Sequence, residues 1–149
     1  MGDFPLISSS IGSTLMSAAE RFFDTNVLLY LLSGDALRAD HAERELSGGG
    51  VISVQVLNEF ASVAWRKLGM SVAEIREVLV TIRTVCTVVP ITEEVHDLGL
   101  QLIEKYRLSL YDAMIVAAAL LAGCKTLFSE DMQHGQVFEG SLEIENPFR

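Results

Sequence analysis

Basic residues are scarce in this chain: 11 Lys and Arg stand against 20 Asp and Glu in 149 residues, a formal charge of −9. A field of that sign repels polyanions, which argues against nucleic-acid binding through a broad basic surface. Contact with phosphate would have to be local, and acids clustered around divalent cations supply a route, because the ions reverse the local sign and bridge to phosphate. Cysteine is almost absent. Cys86 and Cys124 each sit among apolar residues, where a small buried thiol fits. No Cys/His spacing of the metal-binding kind accompanies them, which speaks against structural zinc, and two unpaired thiols suit a reducing, cytoplasmic setting. Only 3 prolines and a charged fraction of 21% speak against a disordered chain. The first 20 residues have neither a basic n-region nor a long apolar run, so no signal peptide and no membrane partner are expected. Residues 1–20, rich in Ser and Gly, read as a loosely ordered extension before one domain over 21–149; Met16 stands just before the first strong strand.

What the chain does have is apolar mass: 50% hydrophobic residues and a mean hydropathy of +0.35, enough for one well-filled core. Short apolar runs alternate with helical patterns. Strands are expected at 21–24, 51–53, 86–89, 125–128 and 142–145. Helices are expected at 25–32, 36–46, 54–68, from Ser71 into 85, from Thr92 to 106, and from Ser109 to Gly123. This alternation implies an α/β fold, a mainly parallel five-stranded sheet with helices on both faces.

Open parallel sheets gather ligands at the carboxyl ends of their strands. Asp24 lies at the junction of the first predicted strand with its helix, and Asp131 in the segment Ser129, Glu130, Asp131 that follows the fourth. Glu59 lies in the second turn of the helix after the second strand, in a row with Val56 and Val63, and Asp112 lies in the first turn of its helix, below Ile115, Val116 and Ala119. Four carboxylates in one place repel by about 4 kcal/mol per close pair at an effective dielectric of about 20. Mg²⁺ or Mn²⁺, which prefer carboxylate and water oxygens, would remove that penalty, and dications so held suit phosphoester hydrolysis.

Structural roles compete for each acid. Asp24 could be the N-cap of the helix that follows, and Asp112 the last member of a capping box begun by Ser109. Glu59 could pair with Arg66 or Lys67, and Asp131 could be a turn residue before Gly135. Four acids routed to one sheet edge are harder to explain this way. His41 and His96 read as exposed helix residues and His134 as a loop residue beside Asp131, while Phe60, Trp65 and Met114 read as core or interface.

The segments FFDTNVLLYLL, ISVQVLNEF, LSLYDAMIVAAALLAGC and LFSEDMQHGQVFEGSLEIENPF, in that order and spacing, resemble the motifs of PIN-domain ribonucleases of the VapC type, the toxins of bacterial toxin–antitoxin pairs. The resemblance covers nearly everything from Arg21 to Phe148 and implies a PIN-like α/β/α sandwich. It makes Asp24, Glu59, Asp112 and Asp131 the acidic metal-site residues, with Asp24 and Asp112 the firmest, and Thr25, Asn26 and Ser129 their polar support. It implies Mg²⁺ or Mn²⁺, an RNA substrate such as tRNA or mRNA, a homodimer and a small antitoxin; a helix groove around Val63 and Trp65 is the expected antitoxin site. Relatives often carry Phe and Trp where this chain has Leu110 and Tyr111. Arg66, Lys67, Lys105 and Arg107 are candidate phosphate contacts.

Other readings lose specific residues. A haloacid-dehalogenase-like phosphatase needs a second Asp where this chain has Asn26, and a receiver domain needs a phosphoacceptor Asp where Val89 runs into Pro90. A catalytically silent PIN-like module that binds RNA or protein remains the alternative from another class.

Overall fold

The computed structural model describes residues 16–149; residues 1–15 of the expected extension lie outside the described part. Chain order is β1 (Arg21–Phe23), α1 (Thr25–Leu29), α2 (Ala36–Ser47), β2 (Gly50–Ser53), α3 (Val54–Arg66), α4 (Val72–Val85), β3 (Cys86–Val89), α5 (Glu93–Tyr106), α6 (Leu110–Leu121), β4 (Thr126–Phe128), β5 (Val137–Phe138) and β6 (Leu142–Glu145). A 3₁₀ turn over Ala18–Glu20 leads into β1. Glu20 carbonyl accepts the Lys125 amide at 2.8 Å and Met16 packs on the core.

The sheet order is β3-β2-β1-β4-β6-β5, all parallel except β5 against β6. The chain first moves outward from β1 to β3 and then crosses to the other side of β1 for β4. Right-handed crossovers in opposite directions put the two sets of helices on opposite faces, which gives the α/β/α sandwich. Each inner strand is therefore covered twice and must be apolar on both sides: all four residues of β2 and all three of β4 are buried. The sixth strand is the departure from five. Val137–Phe138 is two residues long, pairs antiparallel with β6 through a hairpin, and carries no period that a sequence could display.

Local chemistry sets the ends of the elements. Thr92 Oγ1 accepts the Val95 amide to start α5, and Ser71 with Glu74 forms a reciprocal capping box at α4. The helix from Thr25 does not reach Leu32 unbroken; it tightens into 3₁₀ over Tyr30–Leu32. Likewise α3 stops at Arg66 rather than Leu68, because Gly69 turns at φ +65° and the Met70 amide bonds back to the Ala64 carbonyl; Leu68 is left exposed. Two glycines mark close approaches. A Cβ on Gly50 would sit 2.3 Å from Cε2 of Phe23, and one on Gly99 of α5 would sit 2.7 Å from Cε of Met114 on α6. The core holds Phe22, Phe23, Phe60, Phe138, Leu28 and Ile52 at zero exposure, with Phe23 stacked on Phe128 at 5.4 Å between centroids. Both cysteines are buried free thiols. Among the described residues no helix is long and apolar enough to cross a membrane.

Candidate active site

The carboxyl ends of β1 and β4 lie side by side, since Phe23 pairs with Phe128 and the ladder extends one residue further through the Asp24 amide, which donates to the Phe128 carbonyl at 2.9 Å. Asp24 thus comes to rest against Ser129, 105 positions away in sequence, and the Ser129 hydroxyl donates to Asp24 Oδ2 at 2.8 Å. Oδ1 of the same carboxylate accepts the Thr25 amide at 2.7 Å. The N-cap role expected as the competing reading is therefore real, and it leaves Asp24 part of a larger arrangement.

All four acids line one cleft of about 360 Å³, together with Thr25, Asn26, Leu29, Ser62 and Val63. Asp24 reaches it from β1, Glu59 from the second turn of α3, Asp112 from the first turn of α6 and Asp131 from the loop after β4. No basic side chain is on its wall. Asp24 is 6% exposed, and its carboxyl is pushed up to about 6: burial is the main cause, the bonds from Ser129 and Thr25 oppose it, and the charges of Asp112 and Glu59 add to it. The half-buried Asp112 is raised too, first by burial, with the charges of Asp131 and Glu59 contributing and Ser109 opposing.

Polar neighbours hold each acid. Thr25 Oγ1 donates to Glu59 Oε1 at 2.6 Å and Gln55 Nε2 to Glu59 Oε2 at 3.1 Å; the same Gln55 nitrogen reaches the Tyr111 carbonyl at 3.1 Å, tying α3 to the start of α6. Asn26 Nδ2 lies 3.1 Å from Asp131 Oδ2, 3.3 Å from Asp24 Oδ2 and 3.4 Å from Ser129 Oγ, while its Oδ1 accepts the Glu130 amide. Ser129 Oγ also accepts the Asp131 and Met132 amides. Glu59 makes no ion pair with Arg66 or Lys67, and Ser109 Oγ accepts the Asp112 amide at 3.3 Å without the reciprocal bond of a full capping box.

Sequence reasoning missed Gln55, whose position one turn before Glu59 was a usable signal, and a cluster behind the loop that had none. Arg38 of α2 pairs with Glu130 and lies over the rings of Tyr30 and Phe148, and Tyr30 donates to Glu130 at 2.5 Å. Of the candidate phosphate contacts, Arg66 lines a second groove that shares Glu59 and Ser62 with the acid cleft, whereas Lys105 is engaged by Glu139 at 2.7 Å and Lys67 and Arg107 line neither. His134 Nδ1 accepts the Asn146 amide, a loop staple. His41 is half-buried, its Nδ1 3.3 Å from the Pro147 carbonyl, not fully exposed as expected.

The sheet is thus mainly parallel, with the four acids gathered at its carboxyl edge beside β1 and β4. The PIN-domain family model matches residues 21–137, and the chain belongs to that family. No curated protein matches the sequence. Similar solved structures include a toxin–antitoxin complex from Klebsiella pneumoniae, 22% identical over 85% of this chain and 97% of that one with a TM-score of 0.66. Mycobacterium tuberculosis VapC20, described as a Sarcin-Ricin loop cleaving toxin, is 19% identical over 74% and 91% of the two chains, TM-score 0.58. Rickettsia felis VapBC2 bound to a promoter DNA fragment is 16% identical over 85% and 98%, TM-score 0.60. At these identities the likeness shows the fold alone.

Proposed function

We propose that this chain is a Mg²⁺- or Mn²⁺-dependent endoribonuclease, the toxin of a type II toxin–antitoxin pair. The observation that carries the reading is the shared cleft of Asp24, Glu59, Asp112 and Asp131, with no cation on its wall and Asp24 buried at its base. The donor set fits the group: the acids supply only hard oxygens, and neither His nor Cys lines the cleft, which suits Mg²⁺ or Mn²⁺ rather than zinc. Asp24 and Asp112 would hold the ion, with Glu59 and Asp131 completing the pocket. When bound, it would activate water and stabilise charge on a phosphodiester.

The chain's own contribution is orientation. Thr25 donates to Oδ1 of the Asp24 carboxylate while Asn26 and Ser129 both donate to Oδ2, so the accepting capacity left for the cleft is on Oδ1. Glu59 is pinned at both oxygens by Thr25 and Gln55, so it can accept a proton from water without rotating away. Asp131, exposed to solvent and held by Asn26, can orient water in the cleft. The partners follow from the same reading: RNA as substrate, a small antitoxin as inhibitor, a second copy as dimer partner, and a reducing cytoplasm that suits the two buried thiols.

One observation favours the silent binding module: among the described residues no three His, Cys, Asp or Glu side chains converge closely enough to hold one ion. An ion held directly by one or two of the acids, with water in its other positions as is usual for Mg²⁺, would be compatible with that spacing. Incubation of total RNA with the chain in Mn²⁺, Mg²⁺ or EDTA decides between them. Cleavage in metal, absent in EDTA and in Asp24→Ala, supports the nuclease; binding without cleavage supports the silent module. Copurification of a small protein from the native host tests the antitoxin, and light scattering tests the dimer.

A further inference from the structure

A second groove, about 630 Å³ in volume, opens directly off the acid cleft, with Glu59 and Ser62 on the wall of both. One side is a polar stripe along α3. Gln55, Asn58, Glu59, Ser62 and Arg66 recur at the i, i+3, i+4, i+7 and i+11 spacing that puts side chains on one helix face. The opposite side comes from the first turn of α6 and the start of α5: Leu110, Tyr111 and Met114, with Ile91 and His96. The stripe runs from negative to positive. Between Glu59 and Arg66 the helix rises about 10 Å, so a strand whose phosphate lies at the acids would pass Arg66 within a short distance. Arg66 is the one permanent cation on this wall and has no ion-pair partner among the described residues.

Tyr111 is the unusual residue. It precedes the acid Asp112, its carbonyl is fixed by Gln55, and yet its side chain is 64% exposed. Leu110 and Ile91 beside it are nearly half exposed, so the groove offers an apolar floor and an aromatic face at a place where solvent now stands. An aromatic face flanked by amide side chains and one guanidinium matches the chemistry of an unstacked nucleobase with its phosphate.

Resting on the ribonuclease reading, we propose that this groove is a subsite for one unpaired base next to the cleaved phosphodiester of a single-stranded RNA, stacked on Tyr111 while Arg66 contacts the neighbouring phosphate. Asn58 is placed to meet the base edge. The subsite selects unpaired over paired RNA, because a base within a duplex cannot reach the ring.

The test is metal-dependent cleavage of a mixed-sequence single-stranded RNA, fluorescein-labelled at its 5′ end, compared with the same sequence annealed to its complement. Tyr111→Ala raises KM about 5- to 100-fold on the single strand, the range that loss of one stacked base produces, and Tyr111→Phe restores it. Arg66→Ala weakens binding and lowers the slope of log KM against log salt by about one. An RNA with one abasic nucleotide beside the cut should suffer the same loss, with no further loss in Tyr111→Ala, since ring and base are partners in one contact. Unchanged KM in Tyr111→Ala, or additive effects of the abasic site and the substitution, overturns the subsite while cleavage by the unmodified chain still upholds the nuclease. Absence of metal-dependent cleavage in the unmodified chain overturns both.

Discussion

Asp24→Asn should stabilise the metal-free protein at neutral pH. The Asp24 carboxyl rises from 3.8 to about 6 on folding, mainly through burial. A raised acid makes the folded state bind more protons than the unfolded one between those values. Its favourable contribution is complete below pH about 4 and is lost as pH climbs through 6. About two pKa units at about 1.4 kcal/mol each give roughly 3 kcal/mol withheld at pH 7.5. Asn imitates the protonated form and removes that penalty. It also turns an acceptor toward Ser129 and Asn26 into a donor, which costs about 1 kcal/mol. The net gain is about 1 to 2 kcal/mol, a rise in melting temperature of about 3 to 6 °C for a chain of this size. Melts followed by circular dichroism in EDTA at pH 7.5 and pH 4 read it directly. The gain should vanish at pH 4. A mutant less stable than the parent at pH 7.5, or a gain equal at both pH values, refutes the reasoning.

Ser129→Ala removes the bond to Asp24 and the hydroxyl that accepts the Asp131 and Met132 amides of the following loop, so metal-dependent activity should fall about 10- to 100-fold, measured as kcat/KM, with the fold retained by circular dichroism. Gly50→Ala drives a methyl into the fully buried Phe23 ring, itself stacked on Phe128, and should cost about 1 to 3 kcal/mol in urea denaturation. Burial pushes both Cys86 and Cys124 thiols up to about 11, so native protein at pH 8 should react with a thiol reagent at least ~100-fold more slowly than unfolded protein; a fast native phase counts against the packing.

Much of the framework is readable from local chemistry alone. Cys86–Val89 and Leu142–Glu145 are short apolar or alternating runs, the first ended by Pro90, and Thr92 announces its helix by its own hydroxyl. What escapes is what depends on partners far away in sequence. Val137–Phe138 is a strand only because β6 lies beside it, and Tyr30 belongs to a tightened turn that faces Glu130, 100 residues on. Leu68 fits the apolar spacing of α3 but falls outside it once Gly69 turns the chain. The site divides the same way. Asp24, Glu59, Asp112 and Asp131 are visible because each stands at a strand end or in an early helical turn aimed at one edge. The role of Asn26 as a hub for Asp24, Ser129 and Asp131 emerges only when β1 and β4 are adjacent.

The cleft's power to capture a divalent cation is the claim on which the rest depends, and Mn²⁺ titration followed by electron paramagnetic resonance addresses it without any RNA. At each total Mn²⁺ concentration the free-ion signal should lie below the buffer level with the unmodified chain and be restored by Mg²⁺, and should stay at the buffer level with Asp24→Asn combined with Asp112→Asn. Equal loss of signal in the parent and the double variant, or none in either, would contradict a metal centre at these four acids.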